Sequence, residues 1–209
     1  MDLSRRPAPP PRLSESPSQT AGPYVHIGLT PNLSGIGGVY PADLGLAPLY
    51  REGAAGEKIT VEGRVLDGEG APLRDALVEA WQADAHGLHA SPMETRGTAD
   101  PHVIGWGRSA CDKTGRYRFQ TIKPGPVPAA DGRPQAPHIT LWIVARGINL
   151  GLHTRLYFAD EAEANAADPL LARIDPPSRR ETLLAQRSGE TYTLDIRIQG
   201  ERETVFFDI

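Results

Sequence analysis

The feature that most constrains this chain is the brevity of its apolar segments, which alternate with polar residues and are separated by glycine and proline. Its 22 glycines and 20 prolines leave little room for helices of ordinary length. In residues 192–199, Tyr192, Leu194, Ile196 and Ile198 alternate with polar side chains, which is the period of a half-buried strand. Further strands are predicted at residues 57–65, 76–82, 116–122, 138–146, 154–158 and 203–209.

About seven short strands with turn residues between them predict an all-β fold arranged as a β-sandwich. The segment 138–146 is apolar on both faces, as a central strand of such a sandwich is. One short helix is predicted at residues 161–167, with Asp160 as its N-cap and the Asp168-Pro169 pair as its end.

Composition divides the chain into three parts. Residues 1–18 are rich in proline and serine and are predicted to form a flexible tail. Residues 19–56 are predicted to be an arm and a long loop that lie on another surface, because residues 22–27 are too few to form an element of their own and long loops are often functional. Residues 57–209 form the predicted β domain.

Charge and cysteine usage exclude several classes of protein. The formal net charge is −4 and no run of Lys or Arg occurs, which argues against a nucleic-acid-binding protein. No apolar run approaches the roughly 20 residues that span a membrane, and the N-terminal residues lack the apolar segment of a secretory signal. Cys111 is the single cysteine, so we expect a structural thiol, no internal disulfide and a cytoplasmic protein.

A group of histidines offers one candidate metal site. His86 and His89, with His102 or His138 as a third ligand, have residue types that bind zinc or similar metals. The glycine between the first two does not fix the imidazoles, so a polar loop with solvent-exposed histidines is the competing interpretation. For His138, which opens the most apolar strand, a hydrogen-bonded core histidine is the default interpretation.

Residues 61–84, 115–128 and 136–139 resemble the intradiol ring-cleaving dioxygenases. The resemblance implies a prealbumin-like, intradiol dioxygenase-like β-sandwich. It also implies the family chemistry, in which Fe(III) held by two tyrosines and two histidines supports cleavage of a catechol by O₂. Phenolate is a hard anionic ligand that favours ferric iron.

The same resemblance implies that this chain has lost three of the four iron ligands. Val127 stands at one tyrosine position, Thr140 stands at one histidine position, and residues 51–116 contain no tyrosine for the remaining position. His138 is a vestigial ligand position, and Gln135 replaces an active-site arginine of the family. A lone imidazole does not hold ferric iron, so we expect this chain to bind no metal.

Longer strings at residues 17–28, 145–149, 153–158 and 197–207 are similar to the iron-free chain of a two-chain branch of the family. That similarity implies a homologous iron-bearing beta subunit, which holds the Fe(III), in an (alpha-beta)n hetero-oligomer. It implies 3,4-dihydroxybenzoate and O₂ as substrates. Residues 19–56 would then contact the partner chain.

In that branch the iron-free chain lends an N-terminal segment and one arginine to the substrate pocket. The residues that match them are Thr20, Gly22, Pro23, Tyr24 and Arg146. A guanidinium suits a carboxylated substrate, because it offers two parallel charge-assisted hydrogen bonds. Arg146 lies eight residues after His138, roughly 26 Å along a continuous strand, so the two side chains cannot serve one site.

Two other functions stay open at this point. One is a non-enzymatic β-sandwich binding module, because sandwiches of this kind also occur in carrier and adhesion domains. The other is a metal enzyme built on His86, His89 and His102. A homologous chain that carries the missing ligands would favour the subunit interpretation over both.

Overall fold

A computed structural model describes residues 20–22, 24–149 and 151–208 of the chain. Its strands are β1 (Lys58–Leu66), β2 (Leu77–Trp81), β3 (Trp106–Ala110), β4 (Arg116–Ile122), β5 (Val127–Pro128), β6 (Pro134–Gln135), β7 (His138–Val144), β8 (Leu152–Phe158), β9 (Leu184–Ser188), β10 (Thr191–Thr193) and β11 (Ile196–Arg197). Its helices are α1 (Tyr24–Leu29) and α2 (Ala162–Ala167), with 3-10 turns at Leu171–Arg173 and Pro177–Leu183. Strands therefore dominate, as predicted. Across these described ranges, no helix has the length and apolar character needed to cross a bilayer.

Nine strands belong to one sheet, in the order β11-β1-β10-β9-β8-β7-β2-β3, with β4 paired to β1 beside that path. The remaining strands, β5 and β6, form a separate short pair. At the free sides of β3 and β4, the Arg118 backbone N–H donates to Ser109 Oγ at 3.1 Å. This contact brings the two edges together, so the sheet is nearly closed around its core.

The core lies between strands that expose alternate residues to it. Val61 and Val65 on β1 are fully buried, and so is Tyr192 on β10. Gly63 lies between those valines because a Cβ there would approach the Leu194 carbonyl oxygen to 1.8 Å. The alternation in the sequence thus corresponds to burial, as the period-two pattern predicts.

The N-terminal arm forms a helix, so the prediction that residues 22–27 form no element of their own is wrong. α1 is one turn and a half long, and none of its residues is buried. The Thr30 backbone N–H and hydroxyl both donate to the His26 carbonyl, at 2.8 and 3.2 Å. A side-chain bond from β3, in which Arg108 Nη1 donates to the Leu29 carbonyl at 2.9 Å, attaches the helix to the sheet.

The sequence predicted helix α2 correctly, but the prediction that Asp160 is its N-cap residue is wrong. Glu161 is the N-cap residue and makes no side-chain cap bond. The Asp160 carboxylate instead accepts the Tyr192 hydroxyl at 2.7 Å and pairs with Lys123 and Arg187. Two charged partners and a phenol outcompete a backbone N–H for this carboxylate. The single helix expected from the sequence is therefore one of two.

The C-terminal strands are shorter than predicted. Residues 192–199 divide into β10 and β11, because the Asp195 carboxylate takes the Arg64 backbone N–H at 2.9 Å and interrupts the ladder. The strand predicted at 203–209 is reduced to a single bridge between Phe207 and His153. β7 ends at Val144 rather than at Arg146. The tail predicted at residues 1–18 lies outside the described residues.

Candidate functional site

A cavity of about 360 Å³ opens where β7 begins, and we call it the His138 cavity. Its lining residues come from the ends of β2, β7 and β8 and from nearby loops: Trp81, Gln82, Ala83, His89, Arg96, Val127, Pro128, Ala129, Ala130, Gln135, His138, Thr140 and Arg155. All three positions at which the family resemblance located surviving or lost iron ligands are among them. The structure thus brings Val127, His138 and Thr140 together in one cavity.

Strand register explains why these side chains meet. Trp81, Thr140 and Arg155 are opposite one another across β2, β7 and β8. Side chains directly opposite in an antiparallel pair lie on the same face, and His138 shares that face because it is two residues from Thr140.

The residues of the cavity do not fit a ferric ion. Val127 has no donor atom, Thr140 offers only a neutral hydroxyl, and His138 is the one imidazole among the former ligand positions. The guanidinium of Arg155 stands beside Thr140 in the register and repels a cation. In the part of the chain that the structure describes, no three or more His, Cys, Asp or Glu side chains are arranged so that they could hold a metal ion.

His138 is held by a network that begins at α2. The Asp168 carboxylate accepts the Ala136 backbone N–H at 2.8 Å, and the Ala136 carbonyl lies 2.8 Å from His138 Nδ1. Because a carbonyl only accepts, Nδ1 carries the proton. Burial, and next the charge of Arg155, lower the pKa of His138 to about 4, so the ring is neutral at pH 7.

Arg155 is the main charge of the cavity. Its Nη1 donates to Gln135 Oε1 at 2.7 Å and to the Tyr157 hydroxyl at 3.2 Å. Burial raises the pKa of Tyr157 to about 12, so this hydroxyl stays neutral. No carboxylate among the described residues forms an ion pair with Arg155.

The histidine group at His86, His89 and His102 does not assemble. His86 and His102 are exposed, and the His89 ring stacks on Trp81 with 5.8 Å between ring centroids. The loop that carries two of these histidines is ordered by a buried carboxylate, because Asp84 Oδ1 accepts the backbone N–H groups of His86 and Leu88. The geometry gives no support to a metal enzyme built on these residues.

A second group lies beyond the opposite end of β7, and we call it the Arg146 cluster: Thr20, Asp75, Arg146 and Gly147. The Gly147 backbone N–H donates to Thr20 Oγ1 at 2.6 Å, so the arm lies against the residue after Arg146. The Gly22 carbonyl accepts the Val25 N–H at 3.1 Å, and Tyr24 is 81% exposed. Pro23 lies outside the described residues.

Arg146 is presented to the exterior by a carboxylate that sequence reasoning missed. Its Nε donates to Asp75 Oδ2 at 2.5 Å, and its side chain is 67% exposed. Neither Nη1 nor Nη2 has a hydrogen-bond partner among the described residues. A fork of donors therefore faces outward. Nothing in the sequence pairs Asp75 with Arg146, because the two are 71 residues apart.

Similar proteins of known family indicate the family of this chain. A family model described as "Dioxygenase" matches residues 40–200. The chain is 48% identical to the protocatechuate 3,4-dioxygenase alpha chain of Pseudomonas putida, over 94% of this chain and 97% of that one. It is 36% identical to the protocatechuate 3,4-dioxygenase beta chain of Burkholderia cepacia, over 71% of this chain and 67% of that one.

Solved structures agree on the fold. The dioxygenase domain of a dioxygenase and carbohydrate-binding protein fusion from Streptomyces sp. SirexAA-E superposes with a TM-score of 0.55 at 27% identity. The superposition covers 90% of this chain and 99% of that one. The strand-rich architecture is therefore shared along nearly the whole chain.

Proposed function

We propose that this chain is the iron-free subunit of a protocatechuate 3,4-dioxygenase. The chain belongs to the intradiol ring-cleaving dioxygenases, and within them to the protocatechuate 3,4-dioxygenase alpha chains. With a homologous beta subunit it would cleave 3,4-dihydroxybenzoate with O₂ to 3-carboxy-cis,cis-muconate, a step of aromatic catabolism. The Fe(III) would be bound by the beta subunit. A cytoplasmic location, supported by the single free cysteine Cys111, and the two-sheet sandwich belong to the same proposal.

The observation that carries the proposal is the His138 cavity. It contains His138, Val127 and Thr140, which match ligand positions of the family, but only His138 among them is an imidazole, and two guanidinium groups line the same cavity, so we infer that the ring-cleaving chemistry needs another chain. The higher identity to an alpha chain than to a beta chain supports the same division of labour.

The contribution of this chain to catalysis would come from the Arg146 cluster. We propose that Arg146 crosses to the partner's pocket and binds the substrate carboxylate through Nη1 and Nη2. Thr20, Gly22, Pro23 and Tyr24 would form the lip of that pocket. The bond from Gly147 to Thr20 supports this arrangement, because it keeps the arm beside the arginine. An exposed phenol at Tyr24 offers a flat surface with a polar tip.

The test is to produce the chain with and without a homologous chain that carries all four iron ligands. We expect O₂ uptake with 3,4-dihydroxybenzoate, and stoichiometric iron, only in the two-chain complex. Full activity from the iron-bearing chain alone would contradict the proposal. Stoichiometric iron in the present chain would contradict it as well.

A non-enzymatic binding module is the second candidate. It predicts that the chain forms no stable complex with the iron-bearing chain and does not change its activity. The names of the similar proteins favour the enzyme subunit, and no feature of the described residues favours the module.

A further inference from the structure

The His138 cavity is large enough for a small ligand, although its residues do not fit iron. At about 360 Å³ it falls within the roughly 300–1,000 Å³ of ordinary ligand pockets. Its side chains include the guanidinium groups of Arg96 and Arg155, and no Asp or Glu is among its lining residues. The charge that faces the cavity is therefore positive, which is the opposite of what a metal cation requires.

The two guanidinium groups differ in what already neutralises them. Arg96 is bonded to Glu94 by both Nε and Nη2, so its charge is largely balanced within its own loop. Arg155 has only the neutral partners Gln135 and Tyr157, both on Nη1. The Arg155 guanidinium is partly buried and has no carboxylate partner. Its Nε and Nη2 have no hydrogen-bond partner among the described residues, so they can donate to an anion.

The carboxylates of this region do not pair with Arg155. Asp175 and Asp208 line a second cavity with Arg155, but neither forms an ion pair with it among the described residues. Asp168 stands behind His138, and its two oxygens accept backbone N–H groups from Ala136, Leu170 and Leu171. Its carboxylate is thus committed to the backbone and does not line the cavity. On the side of the His138 cavity, therefore, no carboxylate lines the space beside Arg155.

The opposite wall of the cavity is flat and apolar. Trp81 is 38% exposed, and its ring lies nearly parallel to that of His89, with 14° between the planes. Val127 and Pro128 add aliphatic surface. A planar aromatic ring would pack on such a wall.

His138 adds a hydrogen-bond acceptor to the same cavity. Its Nδ1–H is used on the Ala136 carbonyl, so Nε2 carries the lone pair of a neutral imidazole. No described residue donates to that nitrogen. His89 Nδ1 is also buried without a partner among the described residues. These atoms suit a ligand that has a ring hydroxyl or brings a water molecule.

We propose that the His138 cavity binds a small aromatic carboxylate of the benzoate class, with Arg155 on the carboxylate and Trp81 against the ring. Arg146 does not line this cavity, because it lies beyond the other end of β7. The proposal does not depend on ring cleavage by the complex. A complex that cleaves its substrate without binding at Arg155 would refute this proposal and leave the proposed function intact.

The test measures binding of 4-fluorobenzoate to the two-chain complex by fluorine NMR and equilibrium dialysis, with the visible absorption of the iron recorded in parallel. Ligand bound near the partner's iron changes that absorption, whereas ligand in the His138 cavity does not. We expect a class of sites, one per copy of this chain, that fills without a change in the iron spectrum.

Two variants assign that class of sites to Arg155. Arg155→Gln should lower its affinity at least about tenfold, and Arg155→Lys should give a smaller loss because it keeps the charge without the planar fork. Arg118→Gln is the matched control, since Arg118 is an exposed arginine on β4 and does not line the cavity. It should leave the affinity unchanged.

Two further probes need no variant, which keeps the test valid if Arg155→Gln does not fold. Benzamide keeps the ring and lacks the charge, and acetate keeps the charge and lacks the ring. Both should bind at least about tenfold more weakly than 4-fluorobenzoate. Equal binding of benzamide would overturn the proposal, as would unchanged affinity in Arg155→Gln or binding only at sites that alter the iron spectrum.

Discussion

The two ends of β7 have undergone opposite changes. At its start, the His138 cavity combines a neutral imidazole with the guanidinium of Arg155, which has no carboxylate partner among the described residues. Beyond its end, the Arg146 cluster has little cavity of its own, and its charged side chain projects outward from a carboxylate support. One strand therefore has an enclosed group of uncharged and cationic side chains at its start and an exposed, carboxylate-supported arginine beyond its end.

The two ends of β7 differ in what holds their functional residues in place. The strand register that packs the core also holds the lining residues of the cavity together, whether or not they bind iron. The exposed Arg146, in contrast, is attached to the fold by an ion pair with Asp75 and takes no part in the core. The predictions below test each end separately.

The largest expected effect is at Arg146. Arg146→Ala in the two-chain complex should lower kcat/KM for 3,4-dihydroxybenzoate by about ten- to more than hundredfold, because an arginine–carboxylate bond contributes roughly 1.5–3 kcal/mol. Arg146→Lys should recover part of the loss. Catechol, which lacks the carboxylate, should be affected less. Equal losses for both substrates would show that Arg146 supports the interface rather than the carboxylate.

The next largest expected effect is a change in the free energy of unfolding with pH, caused by His138. The folded pKa of about 4 lies below the ordinary value of 6.5, so the unfolded chain binds a proton first as the pH falls. His138 therefore stabilises the folded state fully above pH 6.5. This contribution to the free energy of unfolding, roughly 3 kcal/mol at most, is lost as the pH falls through 4.

Urea unfolding of the complex at pH 7.5 and pH 4.5 measures this contribution. His138→Gln, which does not titrate, should lose less stability between the two pH values than the wild-type complex does. The comparison uses only the change with pH, so a constant cost of the substitution cancels. Parallel curves for the two proteins would contradict the assigned pKa shift.

A smaller effect is expected at Asp75, which positions Arg146. Asp75→Asn should raise KM for 3,4-dihydroxybenzoate by about two- to fivefold with little change in kcat, because an exposed ion pair contributes up to about 1 kcal/mol. Glu69→Gln removes the same charge from the turn before Asp75 and should not raise KM. Rescue by Asp75→Glu would separate positioning from charge. A fall in kcat alone would contradict this role.

Sequence reasoning located both ends of β7 but not their supports. Thr140 was singled out by the family resemblance, because residues 138–146 are apolar on both faces and their pattern does not mark a lining; the structure shows the alternate burial that puts Thr140 beside His138. Asp75, Asp168 and Arg155 were missed, because each acts through a contact with a distant segment that periodicity does not encode. The helix at α1 was missed for a related reason: Arg108 of β3 attaches it from outside its own sequence.

The smallest expected effect is on iron itself. If the His138 cavity has lost iron binding because of Arg155 as well as the missing ligands, then restoring two ligands is not enough. Val127→Tyr with Thr140→His should leave the iron content of the complex unchanged, at the amount that the partner chains bind. The guanidinium in register with position 140 still repels a cation, and the second tyrosine has no equivalent in residues 51–116. Metal analysis of the wild-type and doubly substituted complexes makes the comparison, and additional iron bound in proportion to this chain would show that ligand loss alone had emptied the site.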